Sequence, residues 1–214
     1  MRRALLGIII LIAVPSAAAW GQTGKRLAIG AGMNYHRFAD NTFSSSNPGI
    51  SFEYRIHRHS TQEDGWKWSP KTSVNLSKMD TEMNVGGAST KAGRLQAARV
   101  MIGVERGYRQ GPFKIGASVI AGPSFNQFDV DGAARTAYAN TGNTLNGISA
   151  KNSIAVKPGI SAWYDLGSWF ALHGSAGYVI NRPTVETTVN GVTTSSTWKT
   201  DHTSLEMGLV VGIF

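Results

Sequence analysis

The sequence predicts an all-β fold, an eight-stranded antiparallel up-and-down transmembrane β-barrel with long extracellular loops and short periplasmic turns, and three observations predict it. Eight segments alternate apolar and polar or small residues with period two, their connections alternate long and short, and aromatic side chains gather at both ends of the segments. Composition agrees. Gly is abundant, with 25 among 214 residues, Cys is absent, and only 16% of residues are charged, with a formal net charge of +8. A disulfide scaffold and a highly charged disordered chain are excluded, and so is a polytopic helical membrane protein, because the one long apolar run lies at the extreme N-terminus.

That N-terminal run comes first. Arg2 and Arg3 precede an apolar stretch over 4–14, a Pro15 break, and Ser16, Ala17, Ala18 and Ala19. Positive, apolar and small-residue regions in that order predict a secretory signal peptide over 1–19, leaving 20–214 as the barrel domain. A retained membrane helix needs roughly 20 apolar residues, about twice what is present.

The strands follow in order. Leu27, Ile29, Ala31, Met33 and Tyr35 share one face of the first. Ile50, Phe52, Tyr54 and Ile56 oppose Ser51, Glu53, Arg55 and His57 in the second. The third sets Trp66, Trp68, Val74 and Leu76 against Lys67, Ser69, Lys71, Ser73 and Asn75. In the fourth, Ala98, Val100, Ile102 and Val104 oppose Arg99, Met101, Gly103 and Glu105. Phe113, Ile115, Ala117 and Val119 oppose Lys114, Gly116, Ser118 and Ile120 in the fifth. The sixth opposes Ile154, Val156, Ile160 and Tyr164 to Lys157, Gly159, Ser161 and Asp165. The seventh opposes Leu172, Ala176 and Tyr178 to His173, Ser175 and Gly177, and the eighth Leu205, Met207 and Leu209 to Ser204, Glu206 and Gly208.

The connections over 38–48, 79–93, 129–148 and 182–203 are long and polar, whereas those over 58–65, 106–112 and 166–168 are short. That alternation fits a membrane barrel with both termini periplasmic, and gives a soluble sandwich no rationale. Tyr54, Trp66, Trp68, Tyr108, Phe113, Trp163, Tyr164, Trp169, Phe170 and Phe214 lie near the short turns; Tyr35, Phe38, Phe125, Phe128, Tyr178 and Trp198 lie near the long loops. Two aromatic girdles are expected.

The signal peptide, the eight alternating strands, the pair Gly103-Val104-Glu105-Arg106 and Gly111-Pro112-Phe113-Lys114-Ile115-Gly116-Ala117, and the ending Met207-Gly208-Leu209-Val210-Val211-Gly212-Ile213-Phe214 together resemble the small bacterial outer-membrane β-barrel proteins, the group of the OmpA transmembrane domain and OmpX-like barrels. The resemblance covers the whole chain after the signal peptide. It implies an outer-membrane location, with outer-membrane lipids, lipopolysaccharide and the barrel-assembly machinery as partners. Phe214 is similar to the terminal assembly signal of that group, with Gly212 where the group often has an aromatic residue.

With the apolar faces turned to lipid, the inward set becomes Glu53, Arg55, Lys67, Lys71, Arg99, Glu105, Lys114, Lys157, Asp165, His173 and Glu206, with small glycines making room. Eight strands enclose an interior just wide enough for side chains, so an ion network filling the lumen is expected rather than an open channel. Arg37, Lys78, Lys91, Arg94, Lys151 and Arg182 lie near the rim, where contact with lipopolysaccharide phosphates is expected.

Enzyme chemistry has one candidate. His202, Ser204 and Glu206 alternate on one strand face, similar to the His-x-Ser element of outer-membrane lipid A deacylases, with Leu205 in place of the Asn that follows that group's Ser. Residues two apart on a strand lie about 6–7 Å apart, too far for direct proton relay, and the trio faces the lumen rather than lipid. His57 and His59 have no clustered third ligand, and Gly30-Ala31-Gly32 lies within a strand, so neither a metal nor any other cofactor is expected. The basic residues form no single stripe, which argues against nucleic acid.

The function expected is therefore that of a non-enzymatic integral outer-membrane barrel with a structural, adhesive or surface-interaction role through its loops. The alternatives are a lipid A or phospholipid hydrolase and a narrow conduit for small hydrophobic solutes. The fourth loop is the expected interaction site: residues 184–189 and 192–196 flank Asn190-Gly191, a type I′ hairpin signal, and Val185, Glu186, Asn190, Gly191 and Trp198 are its candidate contacts.

Overall fold

The structure, a computed structural model, describes residues 25–36, 38–39, 43–45, 48–58, 64–166 and 170–213, with side chains over 64–166 and 170–208. The expected signal peptide, His59, Arg37 and Phe214 lie outside the described residues.

The elements in chain order are β1 (Lys25–His36), β2 (Phe38–Ala39), β3 (Phe43–Ser45), β4 (Pro48–Arg58), β5 (Gly65–Val85), β6 (Ala88–Gln110), β7 (Phe113–Val130), the helix α1 (Gly132–Asn140), β8 (Leu145–Ala150), β9 (Ser153–Asp165), β10 (Phe170–Asn181), β11 (Thr184–Val189), β12 (Val192–Thr197) and β13 (His202–Ile213). Eight of them close a ring. β1 pairs with β4, and the antiparallel ladder continues through β5, β6, β7, β9, β10 and β13. It returns to β1 through Lys25↔Ile213 to His36↔His202. Closure leaves no edge among these strands, the condition for sheet structure in hydrocarbon. Among the described residues no helix is long and apolar enough to cross a membrane.

The faces divide as the period-two pattern predicts. On β13, Ser204 and Glu206 are buried while Leu205 and Met207 are 56% and 80% exposed. On β6 and β7, Ile102, Val104 and Val119 are exposed, and Arg99, Glu105 and Ser118 are buried. Large apolar residues outside with ions inside is the inversion that a lipid surround requires.

Two expectations fail above the membrane. The segment 79–93 is not a loop: β5 and β6 run on as a ladder to Val85↔Ala88, closed by Gly86 and Gly87 at φ of 61° and 86°. Both turn residues occupy the left-handed region, as in a two-residue hairpin turn. Phe128 and Trp198, assigned to the outer girdle, are instead buried in a separate core with Met79, Met83, Leu95, Leu145, Ile148 and Val185. Their rings meet edge to face at 5.6 Å. This cap is completed by the sheet β8–β11–β12 and by α1. Asp131 caps α1 by accepting from the Ala133 N–H at 3.0 Å.

Candidate functional site

The lumen is built by side chains two apart on neighbouring strands. Lys71 of β5 donates to Glu105 of β6 at 3.2 Å and to the Ser118 hydroxyl at 2.9 Å. Lys114 reaches the other oxygen of Glu105 at 2.8 Å, and Ser161 donates to the same carboxylate at 3.0 Å. Glu105 therefore sits between two ammonium groups. Gly116 makes the space: a Cβ there would lie 2.9 Å from the Glu105 carboxyl carbon.

A second centre forms on Glu206, which accepts from Lys157 at 2.9 Å, Ser175 at 3.2 Å and Ser204 at 2.6 Å. At the periplasmic mouth Asp165 pairs with Arg109 at 3.0 Å, and His173 lies 4.3 Å from the Trp163 ring. Lys67 is half-buried. Glu53 and Arg55 stand in register opposite Asn75 and Ser73. Toward the cap, an apolar layer of Met101, Ile120, Ala155 and Val179 crosses the interior.

Arg99 is held in the lumen by polar side chains. Its guanidinium is buried and donates to the Asn75 side-chain oxygen at 2.9 Å and to Ser77 at 2.8 Å, its hydrogen-bond partners among the described residues. Sequence parity placed Arg99 inside but carried no signal for its partner. Ser118, Ser161 and Ser175, inward by parity, and Arg109, assigned to the short connection over 106–112, belong to the network although the candidate set left them out.

The His202, Ser204 and Glu206 trio lies in the lumen. Contrary to the strand-spacing expectation, two of these side chains converge: the Ser204 hydroxyl donates a hydrogen bond to Glu206 at 2.6 Å, while the His202 Nδ1 contacts the Thr200 carbonyl at 2.9 Å. The Ser204 hydroxyl is thus bonded to a carboxylate in the buried interior of the barrel. Among the described residues no group of three or more His, Asp or Glu could hold a metal ion.

The rim bases are largely engaged. Arg94 pairs with Asp80 at 2.7 Å, Lys91 with Asp131 at 3.5 Å, Arg182 with Asp201 at 3.6 Å, and Lys151 with Glu186. The Asp80 carboxylate holds the Arg94 pKa above its ordinary value. Lys78 is exposed.

The hairpin of the fourth loop forms as its Asn-Gly signal predicts. Thr184↔Thr197 to Val189↔Val192 pair across Asn190 and Gly191, at φ of 50° and 78°. Its surroundings were not foreseen. β11 lies between β12 and β8, so β12 and β8 are the two edge strands, and all six residues of β12 are exposed. Of the candidate contacts, Asn190 and Gly191 are exposed and Glu186 is half-buried, but Val185 and Trp198 are wholly buried in the cap core and offer no contact surface.

Comparison with known proteins gives the class. No family model matches the sequence, and no curated protein matches it. Solved structures do match in fold. The outer membrane protein OprG from Pseudomonas aeruginosa superposes with a TM-score of 0.71 at 8% identity, covering 90% of this chain and 96% of that one. Neisserial surface protein A gives 0.51 at 12% identity, over 89% and 97%. The outer membrane protein AlkL in lipid bilayers gives 0.51 at 15% identity, over 91% and 92%. The chain has the fold of the small outer-membrane β-barrel proteins.

Proposed function

We propose that this barrel is a non-enzymatic surface protein whose extracellular cap binds a partner polypeptide by adding a strand to β12. The observation that carries this reading is the open edge: β12 pairs on one side only and is exposed along its whole length, whereas β8, the other edge of the sheet, turns Leu145 and Ile148 into the cap core. In a two-residue hairpin the residues flanking the turn bond to each other, so Val192, Thr194 and Ser196 point their backbone groups at β11. Thr193, Ser195 and Thr197 then direct theirs outward, the arrangement that strand addition uses. A lumen filled by ion pairs and closed above by an apolar core supports a role outside the barrel rather than through it.

Removing residues 185–196 entirely would also take Val185 from the cap core and uncover β8, so a point change is the sharper test. Ser195→Pro deletes one outward N–H without touching the β11 ladder. Cells displaying the barrel should lose most of their adhesion to a matrix-coated surface on this change. Adhesion equal to that of the wild type would remove β12 as the binding edge.

A further inference from the structure

The outer face near the periplasmic turns holds a cation where hydrocarbon should meet only apolar groups. Arg106 of β6 is exposed, and among the described residues it has neither a carboxylate partner nor a hydrogen bond. Its guanidinium carbon lies 5.1 Å from the Trp66 ring centroid and 5.6 Å from that of Trp68, and both rings are more than 60% exposed. Aromatic faces hold such a group in place but leave its N–H edge unsatisfied.

A groove begins beside this cation. Trp66 forms one end, Ile115 and Ile160 stand as walls, and Ala117, Ala162 and Ala176 keep the floor low, enclosing about 520 Å³. Ala117 is the cross-strand partner of Arg106, so cation and groove are contiguous. The two serines in the lining do not make the groove polar, because Ser161 and Ser175 donate inward to Glu105 and Glu206. The surface is thus a cation held at the aromatic girdle and joined to an apolar trough.

We propose that this is a binding site for one glycerophospholipid of the periplasmic leaflet, with its phosphate on Arg106 and an acyl chain along the groove. Charge complementarity selects the headgroup: an unpaired guanidinium offers the forked donors that a phosphate diester accepts. Position selects the leaflet. Arg106 lies four residues from Gln110, the last residue of β6 before the short turn, about 13 Å along the strand at the usual rise.

The test uses the full barrel refolded into vesicles of phosphatidylethanolamine, phosphatidylglycerol and lipid A, extracted into mild detergent and weighed intact by native mass spectrometry. The wild type should retain one glycerophospholipid. Arg106→Gln, which removes the charge, and Ala162→Leu, which fills the trough, should each lower the lipid-bound fraction at least fivefold. Ile154→Leu, exposed on the same outer face but outside the groove, should leave it unchanged. Heat-dependent gel mobility reports folding of each variant, and Ala162→Leu, which alters no charge, decides the matter alone if Arg106→Gln does not fold. Wild-type retention in the folded variants, lipid A as the species held, or no lipid on the wild type would each overturn the assignment.

Discussion

The lower and upper halves of β5, β6 and β7 belong to the same strands yet follow opposite rules. Below, β5 turns Trp66, Trp68, Val74 and Leu76 outward and Lys71, Ser73, Asn75 and Ser77 inward. Above, the same outward face carries Lys78, Asp80 and Glu82, and the inward face Met79 and Met83. β6 and β7 switch at the same height: Leu76 is in register with Ala98 and Phe125, and Lys78 with Gln96 and Gln127. Side-chain direction is continuous through the switch, so the cause is the surrounding medium. Where hydrocarbon lies outside, polar groups must be satisfied inside; where water lies outside, apolar burial again drives packing. The row Lys78–Gln96–Gln127 therefore marks the outer limit of the hydrocarbon, and the cap above it is an ordinary water-soluble core standing on a membrane barrel.

The largest break in this comparison comes from the lower half. Glu105→Ala strands Lys71 and Lys114 in the lumen without their shared carboxylate, and losing one member of a buried ion pair costs about 3–5 kcal/mol. Urea unfolding in vesicles should show that loss for the whole barrel, together with a weakened heat-dependent gel shift.

Trp198→Ala removes a similar local stability, about 3–5 kcal/mol for a buried aromatic, but from the cap alone. Limited proteolysis should open the segment 182–203 while the gel shift persists, because the eight-strand ring makes no use of Trp198. If both properties failed together, cap and barrel would be one cooperative unit.

The smallest effect is one of pH. The Ala133 N–H and Lys91 hold the Asp131 carboxylate below the usual carboxylate range. A depressed folded pKa means that the stabilisation is present above the ordinary carboxylate pKa and is lost as pH falls through the depressed value. The Ala133 amide resonance in micelles should titrate in that acid window, and Asp131→Asn should abolish the titration.

The barrel was legible in sequence because a lipid surround imposes period-two alternation over whole strands, and Ile102, Glu105, Met207 and Glu206 carry that signal unaided. The cap was not. Its apolar residues lie on the same parity as the lumen set, and Met79 and Met83 fall within the segment 79–93 that reads as a long loop, so no new core shows. Thr81, Glu82 and Lys91, polar enough to suggest a loop, belong to strands whose outer side meets water. Trp198 and Val185 look like exposed hairpin residues until β8, whose Ala150 pairs with Val185 from 35 residues earlier in the chain, is seen to bring Leu145 and Ile148 into a shared core with them. Pairing partners in the lumen were illegible for the same reason: parity fixes which side a group faces, while barrel stagger, which gives Glu105 two lysines and brings Asn75 and Ser77 to Arg99, is set by the register of all eight strands.

The central claim is the height at which the outer medium changes, and a spin-label scan along the outward face of β7 tests it most directly. The chain contains no native Cys, so single cysteines at Val119, Ala121, Phe125, Gln127 and Asp129 label cleanly. In vesicles, oxygen should relax the labels at 119, 121 and 125, and a water-soluble nickel complex those at 127 and 129, with the crossover between Phe125 and Gln127. Equal nickel access at Val119 and Asp129, or hydrocarbon-like behaviour continuing through Asp129, would contradict the account.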